Sequence, residues 1–70
     1  MKTATQAGWF LSKVDNFATG YDNYGHYFEL SINQYGERQF HCTSLALSLG
    51  DLPHSVLRLL GLWMGMEFVA

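Results

Sequence analysis

Three histidines and one cysteine are the residues of this chain that could ligate a metal ion. They are His26, His41, Cys42 and His54. Structural zinc sites normally use paired ligands at close spacing, such as two cysteines separated by two residues. His41 and Cys42 are adjacent instead, so on a strand their side chains would point to opposite faces. The spacing therefore predicts no metal site and no bound cofactor.

Nucleophilic catalysis would need Cys42 or a serine beside a base and an orienting acid. Ser44 and Ser48 lie in an apolar stretch, without the flanking glycines that expose a nucleophilic serine on a sharp turn. No pair of carboxylates stands out as a candidate acid and base. The sequence therefore predicts a non-enzymatic protein with no catalytic residues.

The tyrosines give a stronger signal, because they gather around one predicted hairpin end. Tyrosine combines apolar area with a polar tip and is enriched in protein interfaces. The partner-binding residues predicted in this part of the chain are Tyr21, Tyr24, Tyr27, Tyr35 and Arg38. Two alternatives remain open. Tyr27 and Tyr35 would simply flank the sheet, or the aromatic rings would stack on bases of single-stranded nucleic acid.

The charge balance favours a protein partner over nucleic acid. Four Lys and Arg residues stand against six Asp and Glu, for a net charge of −2. Such a chain has no basic stripe to neutralise a phosphate backbone. A nucleic-acid-associated regulator that uses the tyrosines with Lys13 and Arg38 is kept as an alternative.

The clearest predicted element is a strand at residues 26–33. Phe28, Leu30 and Ile32 alternate there with polar residues and Tyr27, the period of a half-buried strand. A short loop at residues 33–37 follows, and Gly36 can supply the positive φ of a tight hairpin. A second strand is predicted at residues 37–47, with Phe40, Cys42 and Ser44 on one face.

The first segment of the chain fits two structures. Residues 9–14 are rich in strand formers, and a third strand there would give the sheet enough width to be stable. The apolar residues of positions 5–19 also follow helical spacing. The strand is favoured because Gly8 and residues 15–17 are poor helix interiors, and because residues 20–25 have the composition of a turn.

The C-terminal segment predicts a helix that begins at Pro53, a residue suited to a first helical turn. A narrow stripe along it is predicted as a second partner-binding surface, formed by His54, Arg58, Gly61 and Gly65. The glycine pair has the spacing that permits close helix approach. In the alternative the helix ends at Gly61 and residues 62–69 form a fourth strand.

Apolar residues cover more than one side of this helix, which favours burial against a partner or a second copy of the chain. A membrane span needs about 20 apolar residues. The longest wholly uncharged piece of this segment, residues 59–66, is too short to cross a bilayer. A membrane-active small toxin is therefore only an alternative. The lone cysteine and the lack of a signal peptide favour the cytoplasm.

These observations predict one α+β domain over residues 1–70, with a three-stranded antiparallel sheet and one C-terminal helix. In size and composition, though in no motif, the chain resembles the small inhibitors that phages and other mobile elements encode, including anti-CRISPR proteins. That resemblance implies a larger protein or ribonucleoprotein partner whose surface the chain blocks, as an inhibitor or adaptor. The excess of apolar helix surface also predicts a homodimer.

Overall fold

The computed structural model describes residues 1–43 and 48–68. Within these ranges one helix follows five strands: β1 (Lys2–Gln6), β2 (Trp9–Val14), β3 (Phe17–Asp22), β4 (Tyr27–Ile32), β5 (Arg38–Cys42) and α1 (His54–Met64). A 3₁₀ turn, Leu49–Asp51, precedes the helix. The α+β class with a C-terminal helix is confirmed. The predicted three-stranded sheet is wrong, because the sheet has five strands.

All five strands form one antiparallel sheet in chain order, since every connection is short. Ala7 and Gly8 join β1 to β2 with φ values of 51° and 83°, the signs of the type I′ turn that suits twisted hairpins. Asp15, with φ of 53°, begins the turn to β3, and Gly36, with φ of 79°, lies in the predicted loop before β5. These turns set which side chains share each face.

The alternative helix at residues 5–19 is wrong, because those positions form the end of β1, all of β2 and the start of β3. The turns at residues 7–8 and 15–16 interrupt the helical spacing. Gly20 and Tyr21, predicted to begin a turn, belong to β3. The predicted strand at 37–47 is observed as β5, and its residues 44–47, including Ser44, lie outside the described residues.

Asp22 organises the loop that joins β3 to β4. Its carboxylate accepts hydrogen bonds from the backbone N–H groups of Tyr24 and His26, both at 2.9 Å, and contacts His26 Nδ1 at 2.7 Å. Desolvation raises the pKa of Asp22, but the bonds from His26 and Tyr24 outweigh it, and the net pKa is lowered. The His26 ring also stacks on Trp9, with centroids 6.4 Å apart. The loop is thereby tied to the sheet.

The core lies between α1 and one face of the sheet, called the inner face. Because strand side chains alternate, this face collects the buried strand residues Trp9, Leu11, Ala18, Phe28 and Leu30. They pack with Leu52 and with Val56, Leu57 and Leu60 of α1. The predicted alternation is confirmed for Phe28 and Leu30 in β4 and for Phe40 and Cys42 in β5, which all lie on this face.

Gly20 creates the space for Phe28, the largest fully buried side chain among the described residues. A Cβ atom at this position would lie 2.6 Å from Cζ of Phe28 and 2.8 Å from Cδ2 of Leu11. Its backbone φ is not positive, so the requirement for glycine is one of space. The aromatic ring of Phe28, fully buried, therefore lies directly across β3.

The helix passes through Gly61 and ends at Met64, so the strand alternative is wrong for residues 62–64. Residues 65–68 belong to no strand, and residues 69–70 lie outside the described residues. Leu52 is extended, with ψ of 149°, as the following proline predicts. Gly65 is left-handed, with φ of 69°, and the Met66 N–H donates to the Gly61 carbonyl at 3.0 Å. This pattern is typical of a Schellman helix end.

Most of the apolar surface of α1 is used inside the chain. Val56, Leu57 and Leu60 are buried, and Leu59, Trp63 and Met64 pack partly against the same core. Within the described part of the helix, Leu62 is the strongly exposed apolar residue, at 80%. A five-stranded sheet covers more of the helix than a three-stranded one would. The exposed apolar surface of the helix, from which the homodimer was predicted, is therefore much smaller than the sequence indicated. In residues 1–43 and 48–68, no helix is long and apolar enough to cross a bilayer.

Candidate functional site

The face of the sheet opposite α1, called the outer face, is left uncovered by the core formed by the described residues. None of the buried core residues lies on it. Its strand residues, read from the pairing register, are Thr3, Thr5, Phe10, Ser12, Val14, Phe17, Thr19, Tyr21, Tyr27, Glu29, Ser31, Gln39 and His41. Three of its apolar or aromatic members are exposed, namely Val14 at 50%, Phe17 at 43% and Tyr21 at 54%.

An aromatic row crosses one end of the outer face. The register places Thr5, Phe10, Tyr21 and Tyr27 side by side on four neighbouring strands. The rings of Phe10 and Tyr21 stack with centroids 5.1 Å apart and an angle of 26°. Such cross-strand aromatic pairs stabilise a sheet. They also present a rigid apolar surface, because two side chains hold each other in place.

Polar groups in the middle of the outer face are paired with one another. The Tyr27 hydroxyl donates to Glu29 Oε1 at 3.0 Å, and the hydroxyls of Ser12 and Thr19 are 2.8 Å apart. Burial and the neighbouring Glu29 carboxylate both raise the pKa of Tyr27, so its hydroxyl stays protonated as a donor. These hydrogen bonds already fix the side chains, so little side-chain conformational entropy would be lost here when a partner binds.

The outer face carries no basic side chain. Glu29 is its one formally charged residue, beside the titratable His41. The four cationic side chains of the protein lie elsewhere. The alternation of strand side chains places Lys2, Lys13 and Arg38 on the inner face, and Arg58 lies on α1. A ligand with many phosphates would therefore find no counter-charge on the outer face.

A depression of about 440 Å³ lies beside the aromatic row, next to the edge strand β1. Thr3 and Thr5 contribute one side of it, and Phe10, Ser12 and Tyr21 contribute the other. Met1, Ala4 and Leu11 complete the lining. The outer face thus has a concave region at its β1 edge, where a protruding side chain of a partner would fit.

The structure brings only two of the predicted tyrosines together. Tyr21 and Tyr27 are direct cross-strand neighbours on the outer face. Tyr24, 88% exposed, lies in the loop before β4, whereas Tyr35, 77% exposed, lies in the loop after it. Arg38 extends from the inner face, with its guanidinium carbon 5.5 Å from the ring centroid of Phe68. The predicted tyrosine cluster at one hairpin end is therefore split between the two ends of β4.

Sequence reasoning missed Phe10, Val14 and Phe17 as surface residues. The signal was present, because Phe10, Ser12 and Val14 alternate with the buried Trp9 and Leu11 along β2. Recognising residues 9–14 as a strand with two apolar faces would have identified Phe10 and Val14. A strand that is apolar on both faces, with one face uncovered, indicates an interaction surface.

The predicted helix residues lie on the other layer. His54, Arg58 and Gly65 are exposed along α1, and a Cβ at Gly61 would lie 2.5 Å from the Met66 carbonyl oxygen. The glycine spacing predicted that another segment packs closely on this stripe, and at Gly61 that segment is Met66 of the same chain.

A mainly apolar groove of about 440 Å³ runs past the end of α1. Arg58, Gly61 and Gly65 line it together with Leu57, Leu62, Met66, Glu67 and Phe68. Phe68, one of these lining residues, is the last described residue of the chain. The helix stripe and the outer face lie on opposite sides of the sheet, so they cannot form one continuous surface.

Among residues 1–43 and 48–68, no group of three or more His, Cys, Asp and Glu side chains is arranged to hold a metal ion. His26 is engaged by Asp22, His41 lies on the outer face, and His54 begins α1. Compared with known proteins, the chain matches no family model, no curated protein sequence and no solved structure at a significant level.

Proposed function

We propose that this chain is a small non-enzymatic binding module that docks a larger protein partner on its outer face. The observation that carries the proposal is an uncovered sheet face with a stacked Phe10–Tyr21 pair and exposed Val14 and Phe17. Interface cores are enriched in such aromatic residues and depleted in charge. The outer face has both properties.

The dimensions of the outer face suit an interface at the small end of the specific range. Five strands at about 4.8 Å spacing and six residues at about 3.4 Å rise give roughly 24 Å by 20 Å. Specific interfaces bury about 800 Å² of accessible surface on each partner. The projected area of the outer face is about 480 Å², so an interface of that size would extend to the edges of the face and beyond them. We therefore expect the partner to cover most of the sheet.

The proposed action is occlusion of a partner surface, as an inhibitor or adaptor. Rigid paired side chains on a sheet lower the entropy that is lost on binding. Single-stranded nucleic acid is the competing ligand, because aromatic sheet faces can stack on bases. The absence of Lys and Arg from the outer face argues against it.

The proposal is tested by affinity capture from a lysate of the source organism, with the wild type and two matched tyrosine variants as bait. Tyr21→Thr removes an exposed ring from the outer face, and Tyr24→Thr removes one from a loop. We expect a defined protein to be retained by the wild type and by Tyr24→Thr, and its recovery to fall at least tenfold with Tyr21→Thr. Equal capture by all three baits would contradict the proposal.

Two further arms separate the competing surfaces. Arg58→Ala alters the helix groove and should leave capture unchanged if the outer face is the binding surface. Loss of capture with Arg58→Ala but not with Tyr21→Thr would move the site to α1. A fluorescent single-stranded oligonucleotide, titrated at two salt concentrations, tests nucleic-acid binding. Tight binding that weakens steeply with salt would overturn the assignment of a protein partner.

A further inference from the structure

We propose that β1 pairs, antiparallel and about a two-fold axis at Ala4, with β1 of a second copy of this chain. β1 is an edge of the sheet in the strand order. An unpaired strand edge presents N–H and C=O groups that can template a further strand. The proposal is independent of the partner-binding role of the outer face.

The hairpin register identifies which backbone groups of β1 are free. Gln6 and Trp9 flank a two-residue turn, so they form a hydrogen-bonded pair, and such pairs alternate along the ladder. Lys2, Ala4 and Gln6 therefore direct their N–H and C=O groups toward β2. Thr3 and Thr5 direct theirs to the open edge. Two donors and two acceptors are thus available in one strand.

The β1 edge lacks most of the features that block edge pairing. Its five residues contain no proline or glycine, and its pairing with β2 runs without a bulge from Lys2 to Gln6. Lys2, at one end, is its only charged residue. The opposite edge, β5, also begins with a cationic residue, Arg38, with its guanidinium over Phe68. Long cationic side chains on an edge disfavour pairing with another strand, so this feature does not distinguish the two edges, and β1 is singled out by the self-complementarity of its sequence.

The sequence of β1 is complementary to itself in this arrangement. A two-fold axis at Ala4 places Thr3 opposite Thr5 of the second copy, and Thr5 opposite Thr3 of the second copy. Both pairs then use the outward backbone groups, which gives four N–H to C=O hydrogen bonds. Threonine pairs of this kind are favourable across strands. Lys2 falls opposite the neutral Gln6, so no like charges meet at the new junction.

The resulting assembly would be a closed dimer with one continuous ten-stranded sheet. A two-fold axis perpendicular to the sheet leaves both outer faces on the same side. An isologous contact of this kind closes on itself and does not propagate into a filament. Because edge pairing buries less than a standard interface, we expect a weak dimer whose population depends on protein concentration.

Sedimentation equilibrium of the full chain from about 10 µM to 1 mM tests the proposal against a monomer mass of 7.9 kDa. Thr5→Pro removes an outward N–H without removing a bond to β2, since proline is tolerated at such edge positions. Thr5→Val keeps that N–H and serves as the matched control. We expect the wild type and Thr5→Val to dimerise, and Thr5→Pro to dimerise at least tenfold more weakly. A monomeric wild type throughout, or a Thr5→Pro dimer as strong as wild type, would overturn the proposal.

Amide hydrogen exchange on the wild type supplies a second readout that does not depend on a proline variant folding. The Thr3 and Thr5 N–H groups should exchange more slowly as protein concentration rises through the dimerisation range, whereas the exposed Tyr35 amide should not change. Protection of Thr3 and Thr5 that is independent of concentration, in a sample that does dimerise, would place the dimer contact elsewhere and refute β1 pairing.

Discussion

Replacing Gly20 with alanine should destabilise the fold through steric overlap in the core. The new methyl group would lie 2.6 Å from Phe28 Cζ and 2.8 Å from Leu11 Cδ2, whereas carbon atoms normally pack at about 3.5–4.0 Å. Both neighbours are buried, at 0% and 3% exposure, so neither can move into solvent. Overpacking of this kind costs about 1–3 kcal/mol.

The same substitution also reduces the entropy of the unfolded chain, which stabilises a protein by about 0.4–1 kcal/mol where the backbone permits. Because the overlaps are severe, the overpacking cost should lie near the top of its range. We expect a net loss of about 2 kcal/mol in the free energy of unfolding. For a domain of this size that corresponds to a fall in Tm of about 8–16 °C.

Thermal and urea unfolding, followed by circular dichroism, measure this effect. Gly50→Ala is the matched control, because no atom lies within 4 Å of a Cβ there and its φ is not positive. Gly50→Ala should be neutral or slightly stabilising. Combining Gly20→Ala with Phe28→Leu should recover part of the loss, as expected for residues in contact. If Gly20→Ala is as stable as Gly50→Ala, the packing of Phe28 across β3 is wrong.

Four further substitutions test other parts of the fold. Leu60→Ala should lower the free energy of unfolding by about 2–5 kcal/mol, because this side chain is fully buried. Leu62→Ala should change it by less than about 0.5 kcal/mol. Equal unfolding midpoints for the two variants would mean that α1 does not turn Leu60 toward the core and Leu62 toward solvent. Gly61→Ala should lower Tm even though alanine favours helix, because its Cβ would meet the Met66 carbonyl; a rise in Tm would contradict that contact. In the folded protein the pKa of Asp22 is lowered below its ordinary value of 3.8, so its contribution to the free energy of unfolding is present above that value and is lost as the pH falls through the folded pKa. The Tm of Asp22→Asn should therefore fall less than the wild-type Tm between about pH 5 and pH 2. Parallel profiles of Tm against pH would argue against the carboxylate's role.

The sequence was most informative where one strong pattern stood alone. The alternation at Phe28, Leu30 and Ile32 and the glycine at position 36 predicted β4 and the following turn correctly. The proline at 53 marked the start of α1 within one residue. In these segments periodicity and turn chemistry indicate the same structure, so tertiary contacts had little to override.

Prediction failed where a signal depended on a contact distant in the chain. Gly20 reads as a turn residue by composition, yet it lies inside β3 because the ring of Phe28 needs the space. The pair at Ala7 and Gly8 closes a hairpin with positive φ at an alanine, which propensity does not indicate. Without these two features, residues 2–22 appeared to hold one strand, and the sheet was predicted too narrow.

The site followed the same pattern. Tyr21 and Tyr27 were predicted as partner-binding residues and do lie together on the outer face, although that role stays a prediction. Phe10 was not proposed, because residues 9–14 were not recognised as a strand that is apolar on both faces. The helix stripe drew attention because the helix looked too apolar for three strands, and five strands account for most of that surface.

Site-specific photocrosslinking in cells of the source organism tests the outer-face assignment most directly. A photoreactive phenylalanine analogue replaces Tyr21, on the outer face, or Tyr24, in the loop before β4. Both positions are exposed tyrosines, so the analogue replaces the same type of side chain at a solvent-accessible position in each case. The outer-face assignment predicts a discrete crosslinked protein from position 21 and none, or far less, from position 24. A crosslink from position 24 alone, or from neither position while the wild type still captures a partner, would contradict it.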